Sequence, residues 1–158
     1  MILKIKPYII SILIALGVGG SSAFFTRNNM DIYSEIKMPP LSPPSWLFPV
    51  VWTILFILMG ISAAMIYNTA SSSVRERKSA LYTYAASLFF NFFWSIIFFN
   101  MRAFLLASIW IVILLFLIIR TIMKYYKIKP LAAYLQIPYL IWVSFATYLT
   151  FAIWLLNR

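Results

Sequence analysis

The sixteen charged residues of this chain fall in short clusters, and between the clusters lie five stretches with no charge at all: Pro7–Thr26, Met38–Val74, Ser79–Met101, Ala103–Ile119 and Pro130–Asn157. A bilayer core takes about 20 apolar helical residues to cross. Moving Asp, Lys or Arg to its centre costs about 2.5–3.5 kcal/mol on insertion scales. Four of the stretches fit one span each, and Met38–Val74 fits one span preceded by a proline-rich lead-in. The pattern predicts an all-α integral membrane protein, a bundle of five transmembrane helices in a single domain. The helices should cover approximately 7–26, 46–69, 79–100, 103–123 and 130–156, with a Pro-rich loop at 38–45.

Composition points the same way. With 158 residues, 64% of them hydrophobic, and a mean hydropathy of +0.94, a soluble fold would expose large apolar patches. Five helices use most of the chain, so only short loops remain. The net charge of +10 would suggest nucleic acid in a soluble protein. Here the basic residues flank apolar spans, so membrane lipids with anionic headgroups are the partner and nucleic acid is not. Lys4 and Lys6 before an apolar run resemble a signal peptide, but a signal's apolar region is about 7–15 residues long. The run at Pro7–Thr26 is longer and reads as a retained first helix.

Charge bias sets an expected orientation. One side of a five-span protein would carry Lys4, Lys6, Arg75, Arg77, Lys78, Arg120, Lys124, Lys127 and Lys129. The other would carry Arg27, Lys37, Arg102 and Arg158, partly offset by Asp31 and Glu35. Cytoplasmic loops are enriched in Lys and Arg, so the N-terminus should be cytoplasmic, in a bacterial cell membrane, with the C-terminus outside.

The spans differ in character. The first places Ser11, Ala15, Gly19 and Ala23 at four-residue spacing, and the second has Gly60 and Ala64; such small residues let helix backbones approach closely. The fourth is nearly all aliphatic and offers little beyond lipid contact. The fifth contains Pro138, which removes a backbone hydrogen bond and should kink the helix unless neighbours compensate. On the third, Ser87, Asn91, Trp94, Ser95 and Phe98 share one helical face. Lipid cannot satisfy an amide and two hydroxyls, so this face turns inward. Two readings are open: interhelical glue, or a pocket wall where Asn91 and Ser95 meet a ligand's polar groups.

Five of the eight prolines lie within Pro39–Pro49, which makes the loop after the first span stiff and suits a rigid cap. Trp46 sits where interfacial aromatics anchor a membrane protein. Trp52 lies deeper and is either core packing or a ligand wall.

The run Pro43-Pro44-Ser-Trp46-Leu-Phe48-Pro-Val-Val-Trp52-Thr53-Ile-Leu-Phe-Ile-Leu-Met59-Gly60 resembles the second-helix signature of the translocator protein family, also called tryptophan-rich sensory proteins or peripheral benzodiazepine receptors. Further matches follow in order at Asn91-Phe-Phe-Trp94-Ser-Ile-Ile-Phe98-Phe99, Pro130-Leu-Ala-Ala133 and Pro138-Tyr139-Leu-Ile-Trp142-Val-Ser-Phe145-Ala146-Thr147-Tyr148-Leu149. The resemblance covers nearly the whole chain. It implies a five-helix bundle that forms a homodimer and binds hydrophobic small molecules: tetrapyrroles such as protoporphyrin IX, isoquinoline carboxamides and benzodiazepines. Light- and oxygen-dependent porphyrin degradation is known for some bacterial members, with two pocket tryptophans that match Trp52 and Trp142. Tyr33 matches a loop tyrosine, Asn91 a third-helix asparagine, and Ala146 a small residue that contacts ligand. Phe56, Met59, Phe98 and Leu149 follow as pocket walls. No cofactor is required. The alternative is a non-catalytic sensor or carrier for porphyrin or another hydrophobic ligand.

The chain also departs from that pattern. Ile32, Met38 and Leu41 stand where the family loop has tryptophan, lysine and tryptophan, so the cap is less aromatic. Trp110 falls near a position that is acidic in many relatives. The steroid-recognition pattern at the end of the fifth helix is incomplete, because Phe151 replaces its tyrosine and Arg158 is too far from Tyr148. The chemistry of the residues narrows the function independently. With no histidine or cysteine and no charged residue within a span, ordinary acid–base catalysis, a metal centre and proton-coupled transport lack their groups. Haem on a His or Cys axial ligand is excluded as well, which leaves Met or Tyr. A flat aromatic ligand held by stacking suits a chain that is 19% aromatic.

Overall fold

The computed structural model describes residues 2–29 and 32–158; side chains are described from Ile5 onward, apart from Tyr33. Five long helices carry the fold: α1 (Ile2–Thr26), α3 (Leu47–Tyr67), α4 (Val74–Ser95), α5 (Phe104–Ile128) and α6 (Pro130–Asn157). A short helix, α2 (Ile32–Glu35), lies in the long loop after α1, and a 3₁₀ turn (Arg27–Asn29) follows α1 directly. All five long helices have the length and apolar character to cross a membrane. The protein is an integral, multi-pass membrane protein, and no strand is present among the described residues.

The helix ends follow local chemistry. α4 starts at Val74 rather than Ser79, because the Ser73 side chain caps it by accepting from the Glu76 amide at 3.1 Å. A Ser followed three residues later by Glu is an N-terminal signal, so the cluster Arg75–Lys78 is helical and projects past the apolar span. Between α5 and α6, Lys129 is extended (φ −150°) and Pro130 opens the next helix. Proline disfavours helix in the residue before it and suits the first helical position. That single residue turns the chain back on itself.

α1 packs on α3, α3 on α6, α6 on α5, α5 on α4, and α4 returns to α1. This closes a ring of five. Two glycines set the α1–α3 approach. A Cβ on Gly60 would lie 2.5 Å from the Ile12 Cα, and one on Gly19 would lie 2.4 Å from the Phe56 ring. Outward faces carry large exposed apolar residues such as Leu13, Ile54, Phe116 and Ile141, as lipid contact requires. α6 runs unbroken through Pro138.

The fourth span (α5) does more than the sequence suggested. Ala107, Ile111, Leu114, Ile118, Thr121 and Tyr125 form a buried stripe at helical spacing. An aliphatic helix in lipid hides its inward face, because both sides read as apolar. Buried hydroxyls bond to carbonyls one turn back, as in Thr121 to Leu117 and Thr150 to Ala146, and the buried Gln136 Nε2 donates to Ser62 Oγ at 2.7 Å. Each satisfies a donor that lipid would leave bare.

Candidate functional site: an aromatic cavity under the loop

A cavity of about 360 Å³ opens inside the loop end of the bundle, between α1, the start of α3, the end of α4 and the middle of α6. That volume is in the range of small-molecule pockets. Seven of its sixteen lining residues are aromatic. Trp52 stacks on Phe56, with ring centres 5.6 Å apart and planes at 29°. Trp52 also meets Trp142 edge to face at 6.5 Å and 88°, and Phe48 packs against Trp142 at 5.6 Å. Gly19 matters here because any side chain at that position would strike the Phe56 ring.

Hydroxyl and amide groups come from Ser22, Thr26, Ser45, Asn91 and Ser95. Asn91 is buried and lines the cavity, and its Nδ2 donates to the Tyr139 hydroxyl at 3.0 Å. It therefore ties α4 to α6 and contributes to the cavity wall, so the two readings of the third span are not exclusive. Ser95 lines the same wall one turn on. The buried indole nitrogens of Trp94 and Trp142 have no hydrogen-bond partner among the described residues. Two unused donors in an apolar lining are costly unless a ligand acceptor or water meets them.

Of the residues singled out from the sequence, Trp52, Phe56, Asn91, Ser95, Trp142 and Ala146 border this cavity. Met59, Phe98 and Leu149 do not; each is buried in packing instead. The side chain of Tyr33 lies outside the described residues. Phe98 is displaced by backbone geometry. After Ser95 the helix widens into one π-helical turn, Ile96–Asn100, with the Met101 amide bonding back to the Ile96 carbonyl at 3.1 Å. A π turn holds more residues than an α turn, so Phe99 reaches the cavity. Phe98 turns away to stack on Trp94 (5.2 Å, 24°) and pack on Phe104. Sequence reasoning also missed the α1 wall at Ser22, Ala23 and Thr26 and the use of Phe48 and Pro49. The small-residue stripe of α1 signals close packing, and its small residues Gly19 and Ala23 also leave the cavity its space. Trp110 donates its indole N–H to the Phe90 carbonyl at 2.7 Å.

The loop above is strapped down on three sides. Glu35 forms an ion pair with Arg102, and Asn29 donates to Asn100 at 2.7 Å. The Asn157 side chain accepts from the Lys37 amide and donates to its carbonyl, at 2.9 and 3.0 Å. The Tyr148 hydroxyl donates to the Pro40 carbonyl at 2.8 Å. Leu41 follows with a φ of 68° and is 82% exposed. Trp46 lines the cavity mouth and is itself 66% exposed.

Residues 10–155 match the TspO/MBR family. The chain is 38% identical to the tryptophan-rich protein TspO of Chlorobaculum tepidum over 148 residues, covering 94% of this chain and 92% of that protein. It is 35% identical to the tryptophan-rich protein TspO of Archaeoglobus fulgidus over 156 residues, covering 98% and 99%. To the translocator protein of Bos taurus it is 30% identical over 126 residues, covering 80% and 75%. The signature around Trp52, the five-helix ring and these matches lead to one conclusion: the chain belongs to the TspO/MBR family.

Proposed function

We propose that this protein binds a flat, hydrophobic ligand of the tetrapyrrole class, protoporphyrin IX or a close relative, in the aromatic cavity, and that isoquinoline carboxamide and benzodiazepine compounds compete for it. The observation that carries the reading is the edge-to-face pair Trp52–Trp142 on one wall of a partly open, largely apolar cavity. Aromatic faces bind aromatic ligands by stacking, and the unpartnered indole N–H groups favour a ligand with acceptors such as carboxylates or carbonyls. Trp52 and Trp142 also put oxidisable indoles in the cavity lining, which supports light- and oxygen-dependent breakdown of bound porphyrin. The second reading, a sensor or carrier without chemistry, is favoured by one observation: the described cavity lining contains no ionisable side chain. The same proposal includes a homodimer, an N-terminus in the cytoplasm of a bacterial cell, and no required cofactor.

Titration of purified protein in nanodiscs with protoporphyrin IX, followed by tryptophan fluorescence, tests the binding. Saturable quenching that is reduced in Trp142→Phe and nearly unchanged in Trp154→Phe supports it. Linear, unsaturable quenching would mean that porphyrin merely partitions into lipid.

A further inference from the structure

At the end of the bundle away from the cavity, a groove of about 740 Å³ runs between the first turns of α4 and the last turns of α5. Arg75, Lys78, Ser79 and Thr83 form one stripe of α4 along it, and Lys124 enters from α5. The Lys124 ammonium donates to Ser79 Oγ and Thr83 Oγ1, both at 2.9 Å. Those acceptors are neutral. They fix the ammonium in place, leave its charge uncompensated and leave its third N–H free.

Among the described residues no carboxylate pairs with any of these three cations; the one ion pair, Arg102–Glu35, is at the opposite end. Glu76 is on α4 itself but forms no ion pair among the described residues, and its amide is taken by the Ser73 cap. Arg77 is turned elsewhere, donating to the Tyr67 carbonyl at 2.8 Å. Three like charges in one depression repel each other, and an anion seated among them relieves this.

We propose that this groove seats the phosphodiester headgroup of an anionic bilayer phospholipid. The phosphate would lie among Arg75, Lys78 and Lys124. The groove sits where the apolar spans give way to charge, at the depth of lipid headgroups. Its rim carries the exposed Tyr82, and Phe89, two turns deeper on α4, is exposed on the same face. That apolar track gives an acyl chain a path that free phosphate would not use. Basic pockets between helices at a membrane boundary hold such headgroups.

The test is native mass spectrometry of the full-length protein in detergent, titrated with phosphatidylglycerol and, separately, with phosphatidylcholine. Phosphatidylglycerol should be retained preferentially. Lys78→Gln and Lys124→Gln should each weaken its retention about fivefold, and the pair together about twentyfold. Arg75→Gln, at an exposed position, repeats the test should Lys124→Gln disturb folding, which circular dichroism would register. Lys127→Gln changes the same charge at the same end outside the groove and should have under half the effect of Lys124→Gln. Equal retention of both lipids by the native protein overturns the proposal. So does a Lys127→Gln loss as large as that of Lys124→Gln, which would mean a diffuse basic field. Complete displacement of the lipid by millimolar inorganic phosphate would overturn it too, in favour of a free-anion site.

Discussion

Asn91 on α4 and Tyr139 on α6 are joined by a buried hydrogen bond of 3.0 Å from the amide nitrogen to the phenol oxygen. Asn91 lines the cavity, and the Tyr139 ring packs behind that lining, 6.3 Å from the ring of Trp52. One bond therefore ties the cavity wall to the packing of α4 against α6.

Tyr139→Phe should leave the Asn91 amide unpaired and lower stability by about 1–3 kcal/mol. A double-mutant cycle with Asn91→Ala, read by thermal unfolding in detergent, should give a coupling of about 0.6 kcal/mol, the usual size for membrane hydrogen bonds. Strict additivity would mean that the bond contributes nothing.

Gly60→Ala should destabilise the bundle by about 1–3 kcal/mol, the usual cost of overpacking. Its new methyl would meet Ile12 backbone, which cannot swing aside. Gly17→Ala has nothing within 4 Å and should be neutral or slightly stabilising. Unfolding midpoints of the two variants compare the sites directly.

Phe98 and Phe99 should separate packing from binding. Phe98→Ala empties a core position that is 1% exposed and should cost about 3–5 kcal/mol of stability, with little direct effect on porphyrin affinity. Phe99→Ala should weaken porphyrin binding, measured by quenching titration at a temperature where both variants stay folded. The opposite ranking of affinities would place Phe98 at the ligand.

Trp52→Phe and Trp142→Phe keep ring contact but remove the indole. Each should hold porphyrin affinity within about tenfold of the native protein, yet slow its light-dependent loss under oxygen. Absorbance decay with dark and free-porphyrin controls, and mass spectrometry of the product, measure this. Equal decay in native protein, both variants and free porphyrin would be simple bleaching and would leave the carrier or sensor reading.

Orientation is open to direct labelling, since the chain has no cysteine of its own. In intact cells a cysteine replacing Asn29 should react with an impermeant thiol reagent, and one replacing Ser72 should not. The reverse pattern would mean that the N-terminus faces outward.

The five-span architecture was legible because charge is expensive in hydrocarbon, so the distance between charges works as a ruler. That ruler failed at Ser73 and Glu76, where capping chemistry carries α4 past the apolar limit. Helical periodicity placed Asn91 and Ser95 on one inward face, and the family signature singled out Trp52, Phe56, Trp142 and Ala146 beside them. It did not foresee Phe99, because a π turn adds a residue that no side-chain pattern announces. The buried stripe of α5 was invisible for a different reason. Polarity distinguishes inside from outside only when the outside is water.

The strap between Asn157 and Lys37 gives the far end of α6 a job beyond crossing the membrane, because the lid over the cavity is latched by a side chain next to Arg158. Anything that frays the last turn of α6 should unlatch that lid. Asn157→Leu, which keeps the helix but removes both bonds to Lys37, should free that stretch of the loop while leaving the five-helix ring intact.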